Sequence, residues 1–134
     1  MFTSVSSRSA LAYRQVSVET SVGMASPHQL VNLLFESLLV AIGAARAGLA
    51  KRDMVVKGEN IMKAVRLIDE GLKPALNLKQ GGTLAENLDK LYEFCLLRLT
   101  QANLHNDDAA LGEVARVIEP LAQGWSEIKS KVSA

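Results

Sequence analysis

The chain has 134 residues, enough for one domain with its own core and too few for two. Leu (20) and Ala (17) dominate against 3 Pro and 6 aromatic residues, which favours helix over strand. Lys+Arg 15 against Asp+Glu 14 leaves a net charge of +1, with no polybasic arm or acidic tail, so nucleic acid is excluded as the main partner.

The first 26 residues carry 9 Ser or Thr and three charges, Arg8, Arg14 and Glu19. Residues 1–25 therefore read as a tail, partly ordered or a short helix, whose apolar Leu11, Tyr13, Val16 and Val18 can dock on the folded part. The N-terminus lacks the apolar stretch of about 7–15 residues that a secretory signal needs. The longest apolar run, Leu38–Ile42, falls short of the roughly 20 residues of a membrane span. One cysteine, Cys95, rules out a disulfide framework and reads as a small core residue. A cytoplasmic location without membrane insertion is the expectation.

Residues 26–134 read as four helices. Ser26-Pro27-His28-Gln29 is a capping box with proline at the first helical position, opening a helix over 27–49. Asp53 caps a second over 54–77. Gly81-Gly82 breaks the chain, and Thr83-Leu84-Ala85-Glu86 opens a third over 84–104. Asn106-Asp107-Asp108 turns the chain into a fourth over 108–131. At 1.5 Å per residue each is roughly 32–36 Å long, and matched helices on short loops predict an antiparallel up-down four-helix bundle. Pro74 and Pro120 interrupt the pattern; a kink is expected at Pro120 and a kink or early end at Pro74.

Mean hydropathy is +0.13, high for a chain with 22% charged residues. Helix 3 places Leu84, Leu88, Leu91, Tyr92, Cys95, Leu99 and Ala102 on one arc, ordinary core patterning. Phe94, Leu97 and Leu104 fall on another face, beside Lys90 and Gln101, and predict an exposed apolar groove. Helix 1 is apolar around about two-thirds of its circumference, twice what a bundle helix needs. Trp125 is expected to anchor the core.

Catalytic signatures are missing. His28 and His105 lie 77 residues apart without the Glu-x-x-His pairs of di-iron bundles, and no HExxH, GxxxxGK[ST], GxSxG or GxGxxG is present. Asp69-Glu70 and Asp107-Asp108 read as solvated faces and caps. No enzyme, cofactor or metal is expected. His28 is expected on the surface, and a histidine phosphotransfer bundle is the alternative, although such domains resemble H-x-x-K-G where this chain has His28-Gln29-Leu30-Val31-Asn32. A general helical adaptor is the other alternative.

Several stretches resemble the FliS family of flagellar export chaperones, in order and over nearly the whole chain. They are Ala12-Tyr13-Arg14-Gln15-Val16, Ala25-Ser26-Pro27-His28-Gln29-Leu30, Leu33-Leu34-Phe35-Glu36, Gly81-Gly82-Thr83-Leu84-Ala85-Glu86-Asn87-Leu88, Leu91-Tyr92-Glu93, Ala102-Asn103 and Trp125. Ser37 stands where the family often has Gly, and Phe35 where Tyr is common. The resemblance implies a cytoplasmic four-helix bundle, monomer or weak homodimer, that holds the disordered C-terminal segment of flagellin for type III export and prevents premature polymerisation. It also implies a tail that can lie over the binding surface, with Tyr13 as its latch and Val16 among the partner-binding residues. Tyr92, Asn87 and Asn103 join Phe94, Leu97 and Leu104 as candidate partner-binding residues. A co-chaperone or export-apparatus component is the implied second partner.

Overall fold

The computed structural model describes residues 26–132, so Tyr13 and Val16 lie outside the described residues. Within them the chain forms α1 (Pro27–Ala50), α2 (Met54–Arg66) continued by a π-helical turn (Leu67–Leu72), α3 (Leu78–His105) and α4 (Asp108–Val132). α1 packs along α2 and α4, α3 packs along the same two, and the diagonal helices do not adjoin. The result is an all-α four-helix bundle.

Three of the four helices start where a side chain satisfies free backbone donors. Ser26 Oγ accepts from the Gln29 N–H at 3.1 Å while Gln29 Oε1 accepts from the Ser26 N–H at 2.7 Å, with Pro27 inside the first turn. Asp53 Oδ1 accepts from the Val56 N–H, and Asp107 Oδ1 from the Ala110 N–H. Asn106 holds φ 53°, and the Asp107 N–H returns to the Ala102 carbonyl, closing α3 with a left-handed turn.

Pro74 acts upstream of itself. The Lys73 N–H reaches five residues back to the Ile68 carbonyl at 2.8 Å, so the helix widens into a π turn and stops short of the expected 77. Gly82, at φ 56° and ψ −137°, breaks α3 inside its run, so its continuous part starts after the glycine pair. α4, by contrast, carries Pro120 and continues as helix to Val132.

The core takes one stripe from every helix: Leu34, Leu38 and Ile42; Ile61, Ile68 and Leu72; Tyr92, Cys95 and Leu99; Leu111, Val114 and Ile118. By length and composition α1 qualifies as a membrane span, which the short apolar run had argued against. Its Leu34, Leu38 and Ile42 are nevertheless fully buried against the other helices, as a bundle helix requires.

His28 is not a surface residue. Its ring stacks on Trp125 at 4.7 Å and 9°, Nε2–H donates to the Trp125 carbonyl at 2.9 Å, and Trp125 Nε1–H donates to the His28 carbonyl at 2.9 Å. This reciprocal clamp ties the start of α1 to α4, 97 residues on, and buries the imidazole. Arg46 and Asp108 join the same helices at the other end by a two-pronged ion pair, both bonds 2.9 Å.

The hairpin of α1 and α2 closes tightly on Gly48. A Cβ there would lie 2.8 Å from the Lys57 backbone nitrogen and 3.1 Å from the Asp53 carbonyl oxygen. At Gly124 an added Cβ meets nothing within 4 Å. Gly48→Ala is expected to cost about 1–3 kcal/mol in urea unfolding. Gly124→Ala should be neutral or stabilise by up to about 1 kcal/mol, the ordinary gain of Ala over Gly in a helix. Equal midpoints for the two variants would show that the ends of α1 and α2 part freely.

Candidate functional site: the outer face of α3

On α3 the inward positions are Ala85, Leu88, Tyr92, Cys95, Leu99 and Ala102, spaced alternately three and four residues. That spacing keeps one narrow arc on the bundle axis and turns everything a half-turn away into solvent. Two rows lie there at seven-residue intervals. One is Asn87, Phe94 and Gln101, and the other Lys90, Leu97 and Leu104. Phe94 is 37% exposed, Leu97 57% and Leu104 75%. These three apolar side chains have no place in the core.

Leu84 departs from its expected core position and is 69% exposed. It follows the Gly82 break by two residues, and the heptad that opens there turns Ala85 inward, leaving Leu84 about 40° beyond the edge of the core arc at the exposed start of the helix.

Ion pairs run along both edges of this face. Lys73 Nζ donates to Asp89 Oδ1 and Glu93 Oε1, each at 2.8 Å, fastening α3 to the end of α2. On the opposite edge Arg98 donates to Glu113 of α4 at 3.0 Å and to Gln101 at 2.6 Å. Charges thus border the apolar rows without crossing Leu97 or Leu104.

The seam between α2 and α3 is held by a buried lysine. Lys57 Nζ donates to the Asn103 carbonyl at 3.0 Å and to Asn103 Oδ1 at 2.9 Å, setting an ammonium at the negative end of α3. Asn103, expected to contact a partner, instead braces α3 against α2. Tyr92, equally, is buried in the core, while Asn87 is exposed two turns before Phe94 in the same row. The structure therefore brings Asn87, Phe94, Leu97 and Leu104 to one surface and turns Tyr92 and Asn103 away from it.

Beside that surface lie apolar residues of α2 that the sequence reading passed over. Gly58 approaches Asn103 Oδ1, so helical spacing sets Met54 and Met62, four residues to either side, along the α3 side of α2. Both are exposed, as is Val55. The signal was available, since Met54 and Met62 repeat at i and i+8 outside the Ile61–Ala64–Ile68 stripe. Methionine adapts its shape to varied apolar partners, which suits a docking surface. Together these exposed side chains form a contiguous apolar face bordered by ion pairs. Among the described residues no three His, Cys, Asp or Glu side chains cluster as metal ligands.

The sequence profile described as flagellar protein FliS matches residues 9–132. A flagellar secretion chaperone FliS of Salmonella typhimurium is 46% identical over 122 residues, 91% of this chain and 90% of that protein. Flagellar secretion chaperone FliSB of Pseudomonas aeruginosa is 40% identical over 87% of this chain and 91% of its own. FliS of Escherichia coli is 37% identical over 87% and 85%.

The core half of α3 supplies a pH test. Burial pushes the Tyr92 hydroxyl up to about 12, helped by the neighbouring Cys95, and the Cys95 thiol up to about 11. Both values are raised in the folded chain. Their contribution is therefore complete below the ordinary values of 9.0 and 10.0, and is lost as pH rises through about 11 and about 12. Burial opposes the charge on Lys73, but its hydrogen bonds to Asp89 and Glu93 prevail and hold its pKa up, so its ion pairs are lost in the same direction. The melting temperature should be level to about pH 9 and fall beyond it. Tyr92→Phe should blunt the fall above about pH 10; a profile identical to the parent's would show that Tyr92 ionises without opening the core.

Proposed function

The chain belongs to the FliS family of flagellar secretion chaperones, and from that membership we propose that the outer face of α3, with the α2 seam beside it, binds the disordered C-terminal segment of flagellin. The observation that carries this reading is the exposure of Phe94, Leu97 and Leu104 in rows at helical spacing, bordered by ion pairs. An amphipathic helix laid along such rows buries its apolar side against them. Each client leucine covered contributes roughly 1.5–3 kcal/mol before ordering, and ordering a disordered segment takes several kcal/mol back. A long contact is therefore needed. The two rows together with Met54, Val55 and Met62 supply length on two helices.

In this reading the covered client segment, ordered only against the chaperone, does not polymerise before export from the cytoplasm. Asn87 offers a polar contact at the start of the face. Lys57 and Asn103 keep α2 and α3 in register beneath the client. Tyr13, within the tail of residues 1–25, acts as a displaceable latch over this face, with Val16 as a further contact. A co-chaperone or a component of the export apparatus takes a different face. The phosphotransfer alternative finds no support, because the His28 ring is stacked on Trp125 and buried.

Calorimetry with a peptide of the flagellin C-terminal segment tests the proposal. Micromolar or tighter binding is expected, and Leu97→Asp should weaken it by at least about 2 kcal/mol. Because Leu97 is exposed, the same change should move the unfolding free energy by no more than about 0.5 kcal/mol. No binding at tens of micromolar would end the proposal. Unaltered affinity in the variant would move the client off this face.

A further inference from the structure

The face proposed for the client has a chemical property that packing alone does not require. Of its exposed apolar side chains, Phe94, Leu97 and Leu104 are hydrocarbon, whereas Met54 and Met62 each carry a thioether sulfur. Met54 is 41% exposed and Met62 46%. They lie eight residues apart, about 12 Å along α2, on either side of Gly58. The remaining sulfur among the described residues is closed off. Cys95 is fully buried, and burial pushes its thiol up to about 11, so it presents almost no thiolate near neutral pH. An oxidant arriving from solvent therefore meets the two thioethers of the face and not the thiol of the core.

We propose that Met54 and Met62 are a reversible oxidation site, and that their conversion to sulfoxide closes the α2 flank of the face to an apolar client. This rests on the reading of that face as the client's seat. The oxidant is of the hydroperoxide class. A sulfur lone pair attacks one peroxide oxygen, the S–O bond forms as the O–O bond breaks, and with a proton transfer the second oxygen leaves as water. Sulfur is oxidised by two electrons and the peroxide is reduced by the same two. The product keeps the reach of methionine but carries an S–O dipole that accepts hydrogen bonds. In water that acceptor is satisfied. Beneath the apolar side of a client helix it has no donor to meet, because such a helix uses its backbone N–H groups internally. Each covered sulfoxide thus sets a desolvation cost against the apolar gain of docking. The fold is indifferent to the change, since neither methionine belongs to the core of Leu34, Leu38, Ile61, Ile68 and Leu99. The two classes of methionine sulfoxide reductase, one for each epimer at sulfur, reverse it.

Hydrogen peroxide treatment of the full chain, followed by peptide mass mapping and by calorimetry with the flagellin C-terminal peptide, provides the test. Met54 and Met62 should each gain one oxygen while Cys95 stays a thiol. The oxidised chain should bind at least about tenfold more weakly, with a melting temperature within about 2 °C of the parent's. Incubation with both reductases should restore the parent's affinity. The double variant Met54→Leu/Met62→Leu keeps the apolar volume and should bind as the parent does. It should also hold that affinity through the same peroxide treatment, although Met1 and Met24 stay oxidisable. Oxidation of Cys95 ahead of Met54 and Met62 would overturn the site. Undiminished binding by the oxidised parent, or an equal loss in the double variant, would overturn the switch. An untreated parent that binds no peptide would take down the docking reading and the switch with it, and the mass map then decides the oxidation site by itself.

Discussion

A helix at the corner of a four-helix bundle can bury only the arc that faces the axis and its two neighbours. Every other feature here follows from that constraint. α3 meets it with an alternation of three and four residues from Ala85 to Ala102, which fills the core and leaves Phe94, Leu97 and Leu104 without internal partners. α1 meets it with Leu34, Leu38 and Ile42, and its remaining apolar residues divide between the flanks of its neighbours and open solvent at Val40. The surplus apolar surface is thus a consequence of geometry as much as of composition.

A face that binds an unfolded client must itself stay in place, and polar fastenings at the margins do this without occupying the face. The His28–Trp125 clamp and the Arg46–Asp108 fork fix the two ends of α1 against α4. Lys57 on Asn103 holds α2 to one end of α3, and Lys73 on Asp89 and Glu93 holds the π turn farther along it. Between these fastenings the outer rows of α3 carry apolar side chains that a client can cover. A buried lysine is a costly way to join two helices. Here the ammonium satisfies a carbonyl at the end of α3 and the side-chain oxygen of Asn103 together, which offsets part of that desolvation.

The elements readable from the sequence were those governed by local chemistry. Ser26-Pro27-His28-Gln29 capped α1 as its residues require, Asp53 and Asp107 started α2 and α4, and the Gly81-Gly82 pair broke the chain at Gly82. The rows at 94, 97 and 104 were readable for the same reason, since seven residues return to one side of any helix. The failures came where a neighbour decided. His28 looked exposed in the first turn, but Trp125 arrives from 97 residues away and covers it. Leu84 looked like core by periodicity, yet the register is set by Ala85 against the bundle, which a helical wheel cannot locate to one residue. Tyr92 and Asn103 came from a shared family pattern, which says that a residue matters without saying where its side chain points.

The sequence alone determined that this chain is all-helical, where three of its helices begin, that a surplus of apolar residues exists on helix 3, and which family it belongs to. Caps, spacing and residue order are local or statistical properties and survive without a fold. Tertiary structure decided which surplus stays uncovered, that Met54 and Met62 stand exposed on the α3 side of α2, that Asn103 is held by Lys57, and that Val40 of α1 is bare. Each of these depends on which helices are neighbours and how they are rotated. That choice is made by packing the whole core at once, so no single segment carries it.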